Sequence, residues 1–213
     1  MAITAAMVKE LREMTGAGMM DCKKALTETN GDMDAAVDVL KKSGAAKMEK
    51  KQSRIAAEGI ARVAVNGNVA VVAEVNSETD FVAKNETFQE FVQTVADTAL
   101  ASDLNGGANG EDIEALLATN GLSDLLVEKT ATIGEKLSVR RFAKVTGDAV
   151  ASYIHGGGRI GVVIAADGAS DDAAKEALTN IAMQVAAMNP QYISRNDISA
   201  EELAKIKEIT IDS

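Results

Sequence analysis

Val69-Ala70-Val71-Val72-Ala73-Glu74-Val75 reads as a largely buried β-strand, and residues 60–65 before it read as a second strand. Asn66-Gly67-Asn68 between them is typical of a hairpin turn. After the acidic stretch that follows the second strand, the apolar residues of about 86–101 recur at helical spacing. An antiparallel hairpin covered by the helix that follows it predicts an α+β fold.

A similar arrangement recurs later in the chain. Residues 137–145, 149–154 and 160–166 read as strands, and a helix from about 171 to 188 ends at Asn189-Pro190. The order hairpin, acidic turn, helix is thus found twice, about 90 residues apart. We predict a core of two related subdomains, each an antiparallel sheet with helices, at 55–135 and 136–198. Residues 111–129 should form a helix interrupted near Asn120-Gly121, and 199–213 should begin a C-terminal helical segment.

The N-terminal residues 1–54 are predicted to form three short helices and a basic linker. The helices cover about 4–14 with Thr4 as the N-cap, about 19–29, and Asp32 to a stop at Gly44. Their buried faces are expected to comprise Met7, Val8, Leu11, Met14, Met19, Cys22, Ala25, Leu26, Ala36, Val37 and Leu40. A bundle this small has a marginal core, so we expect it to serve by presenting a surface.

The chain of 213 residues has a formal net charge of −10, which argues against direct binding of nucleic acid. The charge is uneven, because residues 1–54 carry 10 basic and 8 acidic side chains. This basic excess is either a solvated linker or a contact patch for an acidic partner. It is supplied by Lys41, Lys42, Lys47, Lys50, Lys51 and Arg54.

The cysteine content and the distribution of apolar residues indicate the cellular setting of the protein. The single cysteine, Cys22, excludes an intrachain disulfide and a cysteine-cluster metal site, and its helical spacing predicts a small buried apolar residue. No basic-then-apolar leader opens the sequence, and no apolar run approaches the roughly 18–20 residues of a membrane span. We therefore expect a cytoplasmic protein that does not enter the membrane.

Catalytic constellations are missing from the sequence. His155 is the single histidine, and no motif pairs it with a nucleophile or with metal ligands. Gly156-Gly157-Gly158-Arg159-Ile160-Gly161 matches the letters of a dinucleotide fingerprint, but it lies between two predicted strands instead of opening a helix. We interpret it as a glycine-rich hairpin turn. The sequence predicts a binding protein with no metal, no cofactor and no reaction of its own.

Three residues are candidates for exposed contacts. Phe81 lies outside the strand and helix patterns, so it either packs back onto its own helix as a staple or inserts into a partner. Asp80 could cap a turn or meet a partner's amides or cations. His155 could be a turn residue or a contact at an exposed hairpin tip.

Three ordered motifs resemble translation elongation factor Ts, and the resemblance extends over essentially the whole chain. The first is Val8-Lys9-Glu10-Leu11-Arg12-Glu13-Met14-Thr15-Gly16-Ala17-Gly18-Met19-Met20-Asp21-Cys22-Lys23-Lys24-Ala25-Leu26, followed by Asn30-Gly31-Asp32. The second is Glu78-Thr79-Asp80-Phe81-Val82-Ala83-Lys84. The third is His155-Gly156-Gly157-Gly158-Arg159-Ile160-Gly161-Val162.

The resemblance implies a guanine nucleotide exchange factor for the GTPase elongation factor Tu, with a ubiquitin-associated-like three-helix module before the core. It implies that the segment Thr79, Asp80, Phe81 and Val82 inserts into the partner, disturbs its bound magnesium and loosens GDP. It also implies partner contacts at Leu11, Arg12, Met19 and Met20 of the module and at His155 of the second subdomain. The Mg²⁺ belongs to the partner.

Two points stay open at the level of sequence. Many members of that family continue past the equivalent of residues 199–213 into a coiled-coil hairpin, so self-association into a homodimer is undecided. The alternative function is a ubiquitin-associated-like adaptor that binds protein without acting on nucleotide.

Overall fold

The computed structural model describes residues 2–168 and 170–211 and shows a mixed α+β fold. The strands are β1 (Glu58–Asn66), β2 (Val69–Ser77), β3 (Ser138–Thr146), β4 (Ala149–His155) and β5 (Ile160–Ala166). The helices are α1 (Ala5–Thr15), α2 (Met19–Glu28), α3 (Met33–Lys51), α4 (Asp80–Ala83), α5 (Glu86–Ala101), α6 (Ile113–Leu117), α7 (Leu122–Ile133), α8 (Asp172–Met188) and α9 (Ala200–Ile211). Within these described ranges, no helix has the length and apolar character needed to cross a bilayer.

The first two N-terminal helices begin and end within one residue of the predicted positions, and the third begins where the sequence indicates. The Thr4 hydroxyl accepts from the Met7 amide at the start of α1, and Gly16 ends α1 with a φ of +64°. The Asp32 carboxylate caps α3 in the same way. The core of this bundle is built from Val8, Leu11, Cys22, Ala25, Leu26 and Ala36. The inward placement predicted for Met14 and Met19 is wrong, since they are 59% and 60% exposed.

The third helix does not stop at Gly44 but continues to Lys51, so the predicted linker is largely helix. Gly44 is buried against α7, where an added Cβ would lie 3.1 Å from Val127 Cγ1 and 3.6 Å from Ala131 Cβ. The missing side chain lets α3 approach α7 closely, and this packing offsets the helix-breaking tendency of glycine. The N-terminal bundle is therefore docked on the core through α3.

The first sheet has the order β1-β2-β3 and is antiparallel throughout. Val71, Ala73 and Val75 of β2 point to one face, which α5 covers. Side chains of α7 extend the same hydrophobic core beside α5. A bulge between Glu74 and Val75 shifts the register against β3. Because β3 pairs with β2, the boundary predicted between residues 135 and 136 separates two strands of one sheet. Strand periodicity reveals a buried face but not the neighbouring strand, which explains this difference.

The second sheet is the antiparallel hairpin of β4 and β5, and it is layered between α8 and the first sheet. Ala149 and Ala151 face α8, where Leu178 packs against them. On the opposite face, an added Cβ at Gly161 would lie 2.8 Å from Val72 Cγ2 and 2.9 Å from Ala61 Cβ of the first sheet. Glycine at this position lets the two sheets lie in close contact.

Candidate functional site

The loop that follows β2, here called the tip loop (residues 78–85), presents the exposed candidate Phe81. Phe81 is 81% exposed on the four-residue helix α4, whereas the neighbouring Ala83 is buried and Val82 packs against the main core. The Thr79 hydroxyl caps α4 by accepting from the Val82 amide at 3.4 Å. The staple alternative for Phe81 is therefore wrong, and its ring projects into solvent.

Asp80 forms an ion pair beside Phe81. Its Oδ2 lies 2.7 Å from Lys84 Nζ, one helical turn further along. The hydrogen bond and charge of Lys84 hold the pKa of the Asp80 carboxyl below its ordinary value, and the charge of Arg159 acts in the same direction. Asp80 is thus ionised at neutral pH. It is not the cap of this turn, because Thr79 performs that role.

The Glu135 carboxylate binds the first two residues of the tip loop. Its Oε2 accepts from the amides of Glu78 at 3.1 Å and Thr79 at 3.0 Å, and its Oε1 accepts from the Thr79 hydroxyl at 2.6 Å. Hydrogen bonds to an ionised group are stronger than those between neutral groups. The segment just before Asp80 is therefore fixed from a point 56 residues away in sequence.

Glu78 connects the same segment to the end of α3. Its carboxylate accepts from the Lys136 amide and from Arg54 Nη1, the latter at 3.2 Å. The Lys136 amide, with a smaller contribution from Arg54, holds the pKa of the Glu78 carboxyl below its ordinary value. Lys136 Nζ in turn donates to the carbonyls of Gln52 at 2.7 Å and Arg54 at 2.9 Å. Residues 135 and 136 thus join the tip loop to the N-terminal bundle.

A second set of contacts joins the tip loop to the turn between β4 and β5, here called the glycine turn (residues 156–159). Gln89 Nε2 donates to the carbonyl of Ala83 at 3.3 Å, and Gln89 Oε1 accepts from Arg62 Nη2 at 2.8 Å. Arg62 Nη1 reaches the carbonyl of Gly157 at 3.5 Å, and the Ala61 amide donates to the carbonyl of Gly158 at 2.7 Å. The second and third sequence motifs are therefore neighbours in the fold.

His155 ends β4 immediately before the glycine turn and is exposed. Its Nδ1 lies 3.0 Å from the Tyr153 hydroxyl, and the two rings are 5.9 Å apart. Both residues point to one side of the strand, as expected for positions i and i+2. This placement leaves the imidazole accessible to a partner, while its role as a contact stays a prediction.

The predicted contacts of the N-terminal bundle differ in accessibility. Met19 and Met20 at the start of α2 are 60% and 75% exposed, and Arg12 is also exposed. Leu11 is fully buried in the bundle core, so its predicted role as a surface contact is wrong. Leu11 belongs to the same apolar stripe of α1 as Val8, and both residues pack in the bundle core. The bundle is small, so its core depends on the residues of this stripe.

In the part of the chain that the structure describes, no group of three or more potential ligands is placed to hold a metal ion. The glycine turn lies between two strands, as expected for a hairpin and not for a dinucleotide site. Cys22 is buried, its Sγ lies 3.6 Å from the carbonyl oxygen of Ala17, and burial raises the pKa of the thiol.

Sequence reasoning missed the side chains that hold the tip loop. Glu135 and Lys136 lie in a short loop after α7. Arg62 lies on β1 and Gln89 on α5, where each is one polar residue among several. Glu135, Lys136 and Arg62 act on the loop through contacts 27 or more residues away along the chain. Gln89 contacts Ala83 only six residues away, but its other partner, Arg62, is 27 residues away, so a local pattern could not have identified the connection. Glu78 was within a quoted motif, but its partners were not predictable.

A protein family model described as Elongation factor TS matches residues 78–213. The match covers more than half of the chain and begins at the first residue of the tip loop. It includes Glu135, Lys136 and the glycine turn. Residues 1–77, with the exposed methionines of α2, lie outside it.

Proposed function

The chain belongs to the elongation factor Ts family, and from this premise we propose that it is a guanine nucleotide exchange factor for elongation factor Tu in protein synthesis. It acts on the GTPase partner and catalyses no chemical reaction of its own. The proposal places it in the cytoplasm and assigns it no direct contact with nucleic acid.

The observation that carries this proposal is the exposed Phe81 on a loop whose root is hydrogen-bonded to the core. A phenylalanine that is 81% exposed has no role in holding its own fold together, since burial is what makes an aromatic ring stabilising. An ordered loop that presents such a ring is suited to inserting it into a partner. In the proposed complex, Phe81 enters the GTPase domain and Asp80 brings a carboxylate towards the magnesium site.

The energy available from Phe81 alone is too small for efficient exchange. Burying one phenylalanine contributes about 1.5–3 kcal/mol, which changes an equilibrium by roughly 10–150-fold. A factor that weakens GDP binding is itself weakened by GDP to the same degree. Further contacts must therefore supply binding energy, and Arg12, Met19 and Met20 on the bundle and His155 on the core are the proposed anchors.

The test is release of a fluorescent GDP derivative from elongation factor Tu with and without the protein. We expect Phe81→Ala to slow catalysed release by at least about tenfold without lowering the melting temperature, since removing an exposed ring creates no core cavity.

The matched control is Val65→Ala, which shortens another exposed apolar residue at the far end of the β1–β2 hairpin. This variant should release GDP at the parent rate. If the parent protein binds elongation factor Tu but leaves GDP release unchanged, the exchange proposal is wrong and the adaptor alternative is favoured.

A further inference from the structure

We propose that Glu135 is a positioning residue that sets the orientation of Phe81 and couples the tip loop to the N-terminal bundle. The coupling part of this inference rests on the proposed exchange function. The orientation of Phe81 can be measured in the free protein, so the two can be tested separately.

The tip loop needs such support because α4 is only four residues long. A single helical turn is unstable alone, since nucleation fixes several residues for very few hydrogen bonds. The ring of Phe81 is exposed, so packing of its own side chain supplies little orientation. The direction of α4 is therefore determined by the hydrogen bonds at its start together with the packing of Val82 and Ala83 against the core.

Glu135 holds the start of α4. Its two carboxylate oxygens accept from the Glu78 amide, the Thr79 amide and the Thr79 hydroxyl, all between 2.6 and 3.1 Å. The same Thr79 hydroxyl accepts from the Val82 amide and so starts α4. One carboxylate thus holds both the entry to the helix and the group that caps it.

The position of Glu135 is set in turn by the helices of the bundle and core. It follows α7 by two residues, and α7 packs against Gly44 of α3. Lys136 donates to the carbonyls of Gln52 and Arg54 just after α3. A displacement of α3 is therefore passed to residues 135 and 136, and from them to the tip loop. Binding energy gained at the bundle can act on Phe81 by this route.

The experiment measures GDP release from elongation factor Tu over a range of factor concentrations for the parent and Glu135→Ala. We expect the maximal rate to fall about tenfold, while the concentration giving half of that rate changes by less than about threefold, because a misplaced group costs rate more than affinity. Glu135→Gln keeps an oxygen that can accept the two backbone amides and should recover most of the loss.

A double variant distinguishes orientation from a general structural role. If Glu135 acts through Phe81, then adding Glu135→Ala to Phe81→Ala should slow release no further. Losses that multiply in the double variant would overturn the proposal. So would a Glu135→Ala protein that releases GDP at the parent rate.

Hydrogen exchange of the free protein tests the orientation without any partner. Glu135→Ala should raise the hydrogen-exchange rate of the bonded amides of the tip loop at least about tenfold, with the amides of α5 unchanged. These include the amides of Glu78, Thr79, Val82, Ala83 and Lys84. Unchanged hydrogen exchange in the tip loop would disprove the positioning role, whatever the GDP-release assay gives. If the parent protein does not accelerate GDP release but the tip-loop amides of the variant exchange faster, only the proposed function is refuted.

Discussion

At the scale of single residues, two carboxylates next to one another in space have different tasks. Glu135 accepts from Glu78 and Thr79 of the tip loop, whereas Glu78 accepts from Lys136 and Arg54 and so joins two connecting segments. The Lys136 amide holds the pKa of the Glu78 carboxyl below its ordinary value. The contacts at the start of the tip loop are therefore sensitive to protonation of Glu78, although the loop itself displays an apolar ring.

Glu78→Gln should lower the melting temperature at pH 7, because the charge-assisted bond to the Lys136 amide is weakened. The pKa of Glu78 is lower in the folded state, so its contribution is fully present above the ordinary value of about 4.3. It disappears as the pH falls from that value through the folded-state pKa. Thermal melts of both proteins from pH 7 to 3 should converge at the acid end, and a constant difference would contradict the assignment.

His155→Ala should slow GDP release several-fold, and less than Phe81→Ala does, by removing one anchor beside the glycine turn. The residue has no acid–base partner in the proposed mechanism, so the parent protein should show no bell-shaped profile between about pH 5.5 and 8. Stopped-flow release at limiting concentrations of each protein measures both points. Equal rates for variant and parent would remove His155 from the interface.

At the scale of elements, the helices and strands were largely predictable because their signals are local. Thr4 and Asp32 cap helices as expected, and Asn66-Gly67-Asn68 joins β1 to β2. The end of α3 was not predictable, since Gly44 is tolerated only because α7 fits against it. The pairing of β3 with β2 was not predictable either. The end of α3 and this strand pairing both depend on contacts between distant parts of the sequence.

The residues of the candidate site also divide into those with a local sequence signal and those defined by contacts between distant residues. The exposed candidates Asp80, Phe81 and His155 belong to motifs that are visible in the sequence, and the structure places them at the surface. Glu135 has no such signal, because its importance comes from three hydrogen bonds to residues 56 and 57 positions earlier. Leu11 is a different case: its helical spacing predicted a buried residue, and it is fully buried, so the partner contact implied there by the family resemblance does not fit its position.

Gly44→Leu should separate α3 from α7. The new side chain would start 3.1 Å from Val127 Cγ1, and overpacking of this kind costs about 1–3 kcal/mol of folding free energy. Ala45→Leu is the matched control, because it places the same final side chain at an exposed position on the same helix. Urea unfolding should show a lower midpoint for the first variant alone. A midpoint equal to that of the control would mean that this contact is not close in solution.

At the scale of the whole molecule, the arrangement is a stack of layers: α5, the first sheet, the β4–β5 hairpin, and α8, with α7 packed beside α5 and against α3. The tip loop and the glycine turn leave this stack on the same side, joined by Arg62 and Gln89. Close contact between the sheets at Gly161 is what keeps the turn beside the loop. The proposed contacts on the core are therefore fixed by packing between layers.

Gly161→Ala should lower stability by about 1–3 kcal/mol, since the added methyl group would clash with Val72 and Ala61. Adding Val72→Ala removes one of the two clashing groups. The double variant should therefore be less destabilised than the sum of the single changes, as measured by urea unfolding. Additive losses would show that the sheets separate elsewhere to accommodate the methyl group.

The docking of α3 on α7 has a consequence for how separate contacts add up. If the bundle were tethered by a flexible chain, its effective concentration at the partner would be determined by the tether, in the millimolar range for short linkers. Here the bundle and tip loop share a frame, so the second contact forms without the loss of tether entropy, provided that the partner's sites have matching spacing. Avidity then depends on whether the spacing of the two contacts matches the partner's sites, and not on the length of a flexible linker. Gly44→Leu should consequently weaken binding of elongation factor Tu although every proposed contact residue is unchanged, whereas Ala45→Leu should not.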